Sequence, residues 1–357
     1  MGELTARRPK HRSCHTWAAA FLCALLAIHS PLALSAKNTP FGAELTVPGY
    51  PNITTEHIDA TLDVISDMGS FASLIWFWSS RQTLPGIPTL IQQMHAHGLK
   101  AMVQIGPTWL GAASPPEGYA KSFSDPLTRK LYLQDVEAIA KGKPDYLVLM
   151  TEANLTHRFA PSDFEAYKSL YKEAYWRVKL YSPGTKVGVS HLYTLWYADY
   201  FINRIDVPAM LTPSDFYAFT SYPQWLVTEG HYPTIADIPS DFHGAARLAY
   251  PTRTIIFSEV GWPSKGSGNL EEQAEFVRQI PRLFSSARPT LVSWAVLSDL
   301  EFFQRSLLTP EDIAFLEDLD VDIDALFEHF NAMGLLDGFG NPKPAYWDAR
   351  EMVFPLP

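Results

Sequence analysis

The sequence predicts an α/β fold, a single (β/α)8 TIM barrel with a helical insertion after strand eight. Three observations carry that expectation. Short apolar runs alternate eight times with amphipathic stretches, the pattern of repeated βα units. No sustained repeat or low-complexity linker divides the chain, so one large domain is expected. Two of the apolar runs close in glutamate, at Glu152 and Glu259, and a parallel barrel would set both at its C-terminal mouth.

The elements follow in chain order. Residues 1–36 read as a secretory signal peptide: Arg7, Arg8, Lys10 and Arg12 precede the apolar stretch Trp17 to Ile28, and Ala33, Ser35 and Ala36 supply a cleavage site. The apolar stretch is short for a membrane span, the alternative being an uncleaved anchor. Residues 37–357 remain as the barrel domain, 321 of 357. Its strands are expected near 41–45, 71–78, 101–105, 146–150, 186–190, 215–220, 254–258 and 291–296. Helices are expected over 55–68, 88–97, 126–140, 162–180 and 270–286. Ser162 with Glu165 forms a capping-box pattern, and Gly98 and Gly184 follow two of the helix ends. The stretch 301–331 reads as the acidic helical insertion.

Composition narrows the chemistry. Both cysteines, Cys14 and Cys23, fall in the leader, so the mature chain has no disulfide, cysteine–zinc site or cysteine nucleophile. The formal net charge of −10 becomes −13 once the four basic residues and Glu3 of the leader are removed, which argues against nucleic-acid and anionic-membrane partners. Aromatic residues make up 13% of the chain, enough to build apolar faces for a neutral sugar as well as a core.

Asp318, Asp320, Asp322 and Asp324 invite a calcium reading, but an EF-hand loop from Asp318 would need glycine and glutamate where Ile323 and His329 stand. A solvated acidic helix end is the expectation. His95 and His97 sit just before Gly98, where histidine suits a helix C-terminus rather than a metal. No nucleophile elbow and no glycine-rich phosphate loop follows a strand.

What remains is the pair of carboxyls. Glu152 ends the run Asp145-Tyr146-Leu147-Val148-Leu149-Met150-Thr151, and Glu259 follows Thr254-Ile255-Ile256-Phe257-Ser258. Cleaving an acetal needs a proton for the leaving oxygen and electron density at the anomeric carbon, so two carboxyl groups of unlike pKa suffice without metal or cofactor.

The segment Ser258-Glu259-Val260-Gly261-Trp262-Pro263 resembles the nucleophile strand of clan A glycoside hydrolases, especially plant-type β-1,3-glucanases and arabinogalactan endo-β-1,4-galactanases. The tail from Gly334 to Tyr346 is similar to the closing segment of many such barrels. The resemblance implies a retaining double displacement with Glu259 as nucleophile and Glu152 as acid/base. It also implies that Tyr222 hydrogen-bonds the nucleophile and that Trp294 is a sugar platform. Thr151 stands where the clan carries an asparagine that binds the sugar 2-hydroxyl, and Asn154 is a second candidate for that contact. His191, Tyr193 and Trp262 are further candidates for substrate binding, with Trp76, Trp78, Trp109 and Trp225 weaker ones. The expected substrate is a β-linked polysaccharide or oligosaccharide, met in a secreted or periplasmic setting. Two other readings share these residues: a glycan-binding barrel without catalysis, and a transglycosylase.

Overall fold

The computed structural model describes residues 40–48, 53–224, 234–300, 305, 308–318 and 321–352. The leader, Trp225 and Asp320 lie outside the described residues. Eight parallel strands close on themselves: β1 (Phe41–Glu44), β2 (Phe71–Phe77), β3 (Lys100–Gly106), β4 (Tyr146–Val148), β5 (Lys186–Leu192), β6 (Phe216–Ser221), β7 (Thr254–Val260) and β8 (Leu291–Trp294). Each pairs with its sequence neighbour, and β8 returns to β1 through Phe41 opposite Val292 and Ala43 opposite Trp294. The fold is therefore the (β/α)8 barrel that the alternation predicts.

The helices form where capping and amphipathicity agree. In α1 (Thr55–Met68), His57 N donates to the Thr54 hydroxyl at 3.4 Å, and Thr54 N donates back to His57 Nδ1 at 3.3 Å. Asp125 caps α3 (Pro126–Lys141), with proline at the first position where no N–H is needed. Asn269 caps α8 (Leu270–Leu283). The remaining helices used below are α2 (Ile87–Ala96), α4 (Ala153–Phe159), α5 (Pro161–Tyr181), α6 (Tyr193–Tyr197), α7 (Gly244–Ala249), α9 (Pro310–Asp318), α10 (Ile323–Asn331) and α11 (Pro344–Glu351).

Two local expectations are corrected. The cap of α5 is Ala160, not Ser162, because Pro161 takes the first helical position and pushes Ser162 into the first turn. Gly98 adopts φ +74 and ends α2 as expected, whereas Gly184 is not among the left-handed glycines and sits in the turn beyond α5. His95 and His97 hold Asp145 at 2.9 Å and Asp63 at 2.8 Å, which ties the base of α2 to its neighbours.

Alternation sorts each strand's side chains into two environments. Phe41, Ala43, Val103, Val187, Val189, Phe219, Phe257 and Val292 face the helices as part of the main core. Phe71, Met102, Tyr146, Val148, Phe216, Ala218, Ile256 and Leu291 fill the barrel itself. The closing tail is structural. Buried Lys343 donates to Asp299 at 2.6 Å and Ser264 at 2.8 Å, and the Gln273 amide of α8 donates to the carbonyls of Trp262, Met333 and Gly334. A Cβ at Gly334 would lie 2.2 Å from Asp299 N, so no other residue fits that crossing.

The insertion after strand eight is helical, as expected, in α9 and α10. Its apolar residues Leu316, Ile323 and Phe327 pack with Trp109 and Leu110 from the loop after β3, and Phe315 meets Phe159 of α4 edge-on at 5.2 Å. It thus joins the loops beyond β3 and β4 on the mouth side. Among the described residues no helix is long and apolar enough to cross a membrane.

Candidate active site

Above the apolar filling, the inward positions of the strands turn polar. Glu44 on β1 pairs with Ser73 on β2, whose hydroxyl meets Ser293 of β8 at 2.8 Å, and Gln104 on β3 follows Met102 on the same face. Ser190 of β5 and Thr220 of β6 complete the layer. Glu152 and Glu259 rise from this floor at the C-terminal ends, and each arrives by a departure from regular geometry.

For Glu259 the departure is a β-bulge. Across β6, Phe219 pairs with Phe257 but Thr220 pairs with Glu259. Across β8, Val292 pairs with Phe257 but Trp294 with Val260. One extra residue therefore sits in β7 between Phe257 and Glu259. With strict alternation from inward-facing Ile256, Glu259 would point into the helix layer; the bulge turns it inward. Its Oε2 accepts from the Tyr222 hydroxyl at 2.7 Å, and only 8% of the residue is exposed.

For Glu152 the departure is backbone strain. β4 ends at Val148, and Leu149's carbonyl accepts from both the Tyr132 and Tyr167 hydroxyls, the latter at 2.9 Å. Glu152 then adopts φ 49 and ψ 47 before α4 begins. A left-handed non-glycine residue costs on the order of 1–3 kcal/mol and persists only where its surroundings over-determine it. Here Glu152 N donates to Ser190 Oγ at 3.0 Å and the Thr220 hydroxyl donates to Glu152 Oε1 at 2.7 Å. Asn154 holds the start of α4 to the end of β5: its amide donates to Leu192 O and accepts from Leu192 N, both at 2.9 Å.

The electrostatics follow from burial and proximity. Burial first, and then the neighbouring charge of Glu152, raise the pKa of Glu259 to about 7, against the lowering effect of Tyr222 and Gln104. Burial also raises Glu152, with the Thr220 hydroxyl opposing. Gln104 approaches Glu259 closely enough to favour its charged form, yet both its amide atoms stop short of a full hydrogen bond. Tyr222 is pushed far up by burial and by the charge of Glu259, with Glu152 and Glu44 adding to it, so it stays a donor. Two carboxyls from β4 and β7 thus share one mouth and repel each other. The one that receives the tyrosine O–H is equipped to be the anion.

The other sequence candidates divide. Thr151 lies at the mouth, partly exposed, with its N–H donating to Ile105 O. Asn154 is corrected: it is fully buried and its amide is used up by Leu192, so it positions Glu152 and offers nothing to a ligand. His191 sits one residue past inward-facing Ser190, so it faces the helix layer beside Phe219; burial lowers its pKa to about 3. Tyr193 donates to Phe242 O at 2.6 Å within the same aromatic core. Trp262 stacks on Phe276 of α8 at 5.1 Å, and Trp294 lies 6.2 Å from the same ring with its indole N–H on Met333 O. Both tryptophans are fully buried on the outer face of the barrel and are core residues, not walls of the mouth. Trp76 and Trp78 are likewise buried, bonded to Thr83 and Asp135, and Trp109 packs against the insertion.

Sequence reading missed Glu44, Thr220, Gln104 and Phe77. Phe77 follows Phe71, Ser73 and Ile75 on the inward parity of β2 and is 40% exposed; a Cβ on Gly106 would stand 3.2 Å from its ring and 3.7 Å from the Thr151 hydroxyl. It is an open aromatic face beside Thr151. A two-residue parity count along β1 or β2 is the signal that could have found Glu44 and Phe77.

Among solved structures, GH5_18 from Streptomyces cattleya in complex with GlcNAc matches with a TM-score of 0.65 at 17% identity, over 90% of this chain and 83% of that one. GH5_18 from Bifidobacterium longum in complex with Manb1-4GlcNAc matches at 0.64 and 17%, over 87% and 77%. The GH53 catalytic domain of Ignisphaera aggregans matches at 0.57 and 15%, over 82% and 88%. These likenesses establish the fold. No protein-family model and no curated protein matches the chain.

Proposed function

We propose that this chain is a secreted retaining glycoside hydrolase acting on a β-linked oligosaccharide or polysaccharide. The observation that carries the proposal is the convergence of Glu152 and Glu259 on one barrel mouth, with Tyr222 on Glu259 and Thr220 on Glu152. The solved neighbours support it, since two of them hold GlcNAc or Manb1-4GlcNAc.

In this reading Glu259 attacks the anomeric carbon while Glu152 gives its proton to the glycosidic oxygen, so the C–O bond breaks as the ester bond to Glu259 forms. Glu152, now the base, takes a proton from water. The resulting hydroxide character attacks the same carbon and frees Glu259. Ester formation neutralises Glu259 and so ends the repulsion between the two carboxyls, leaving Glu152 free to carry the negative charge it needs as base. Tyr222 holds Glu259's second oxygen throughout. Phe77 and Thr151 supply an apolar face and a hydroxyl beside the reacting centre. Export rests on the leader pattern, and N-terminal sequencing of protein recovered outside the cytoplasm checks it.

The test is Glu152→Ala assayed on activated aryl β-glycosides with and without azide. Azide is expected to restore cleavage and yield the β-glycosyl azide, because the small anion enters the space left by the carboxyl. Unchanged activity without azide removes Glu152 from the role. Binding of β-glycans by the unmodified chain with no new reducing ends would favour a lectin-like barrel. Glycosyl products with an acceptor sugar in place of water would mark a transglycosylase.

A further inference from the structure

The mouth holds a third carboxyl that the double displacement does not use. Glu44 ends β1 with its side chain on the inward face, opposite Ser73, and is nine-tenths buried. No hydrogen bond or ion pair to its carboxyl is seen among the described residues, and the buried Lys343 is engaged by Asp299 and Ser264. Glu44 stands close enough to Glu259 for the two charges to repel. A buried carboxyl without a partner is destabilising.

Gln104 makes the same point independently. It is fully buried, faces the same interior from β3, and neither its amide nitrogen nor its oxygen completes a hydrogen bond, although it approaches Glu259. A stable core would have filled both positions with apolar residues, as it does one layer below at Met102 and Phe71. Together they offer a donor pair and several acceptors beside Glu259, the complement of a sugar hydroxyl, which donates once and accepts twice. Among the described residues no acidic or histidine cluster has the arrangement of a metal site.

We propose that Glu44 and Gln104 grip ring hydroxyls of the sugar seated over Glu259 and so set which epimer the site accepts. This rests on the glycoside-hydrolase reading of the same mouth. A site built to hydrogen-bond a hydroxyl discriminates sharply, because an epimer that moves the hydroxyl leaves buried polar groups unpaired.

The experiment is titration calorimetry of methyl β-glucoside, β-galactoside and β-mannoside into the full chain, its Glu44→Gln and Gln104→Leu variants, with cleavage of the matching aryl glycosides followed in parallel. For each variant, affinity for the preferred epimer is expected to fall roughly tenfold, the loss of one good hydrogen bond, while the other epimers change by about twofold or less. The thermal midpoint of Glu44→Gln at pH 8 is expected to hold or rise, where a structural carboxyl would lower it. Unchanged preference, or an equal loss on all epimers, overturns the inference and leaves the hydrolase reading intact. Collapsed preference with no cleavage by the parent supports the grip and removes the hydrolase reading. A parent that neither binds nor cleaves any of the three overturns both.

Discussion

Replacing Glu259 by glutamine removes one charge from a place where the fold holds it at a cost. The residue is 8% exposed and its pKa stands at about 7 against an ordinary 4.5. A carboxyl with a raised native pKa binds more protons folded than unfolded. Its stabilising contribution is greatest below the unfolded value and is lost as the pH climbs from about 4.5 to about 7. Above that window the full penalty is present, about 3 kcal/mol at 1.4 kcal/mol per pH unit. Glutamine keeps the shape, and its amide oxygen can still accept from Tyr222, so Glu259→Gln should recover about 1–3 kcal/mol at pH 8 and little at pH 4. In a chain of this size that is a rise of a few degrees, roughly 2 °C per kcal/mol. Thermal unfolding followed by near-ultraviolet circular dichroism at both pH values measures it. If Glu259 is the nucleophile as proposed, turnover of β-glycans should fall by about four to six orders of magnitude in the same preparation. A variant destabilised equally at pH 4 and pH 8, or one that hydrolyses at the parent rate, refutes the reasoning.

Three further outcomes follow from single contacts. Tyr222→Phe deletes the 2.7 Å hydrogen bond to Glu259, so the pKa of Glu259 should rise and, with Glu259 in its proposed role, the acid limb of kcat/KM should move to higher pH, with a loss of about ten- to hundredfold in rate. Thr220→Val removes the donor on Glu152 Oε1; the proton on Glu152 is held more tightly, and the alkaline limb should move up with a rate loss of about tenfold or less. Asn154→Leu leaves both the carbonyl and the N–H of Leu192 unpaired, and a urea titration should show about 2–4 kcal/mol lost. Unmoved limbs in the first two variants, or an unchanged urea midpoint in the third, would contradict the assigned contacts.

The alternation of apolar runs and amphipathic stretches determined the barrel from sequence alone. Burial on both faces of a parallel strand and on one face of a helix are composition-level demands, legible without knowing what packs on what. Strand order, the end of α2 at Gly98 and the mouth-side placement of Glu152 and Glu259 belong to that level. Which way a side chain points at a strand's end does not. The extra residue in β7 reverses parity at Glu259 and sends Trp262 outward onto Phe276, and nothing in Ser258-Glu259-Val260 announces it. Trp294 and His191 face the helices for the same reason of parity, while Glu44 and Phe77, plain members of apolar runs in the sequence, face the mouth. Tertiary structure alone decided these because register is a property of pairs of strands. A shift of one residue costs nothing in composition and exchanges core for cleft.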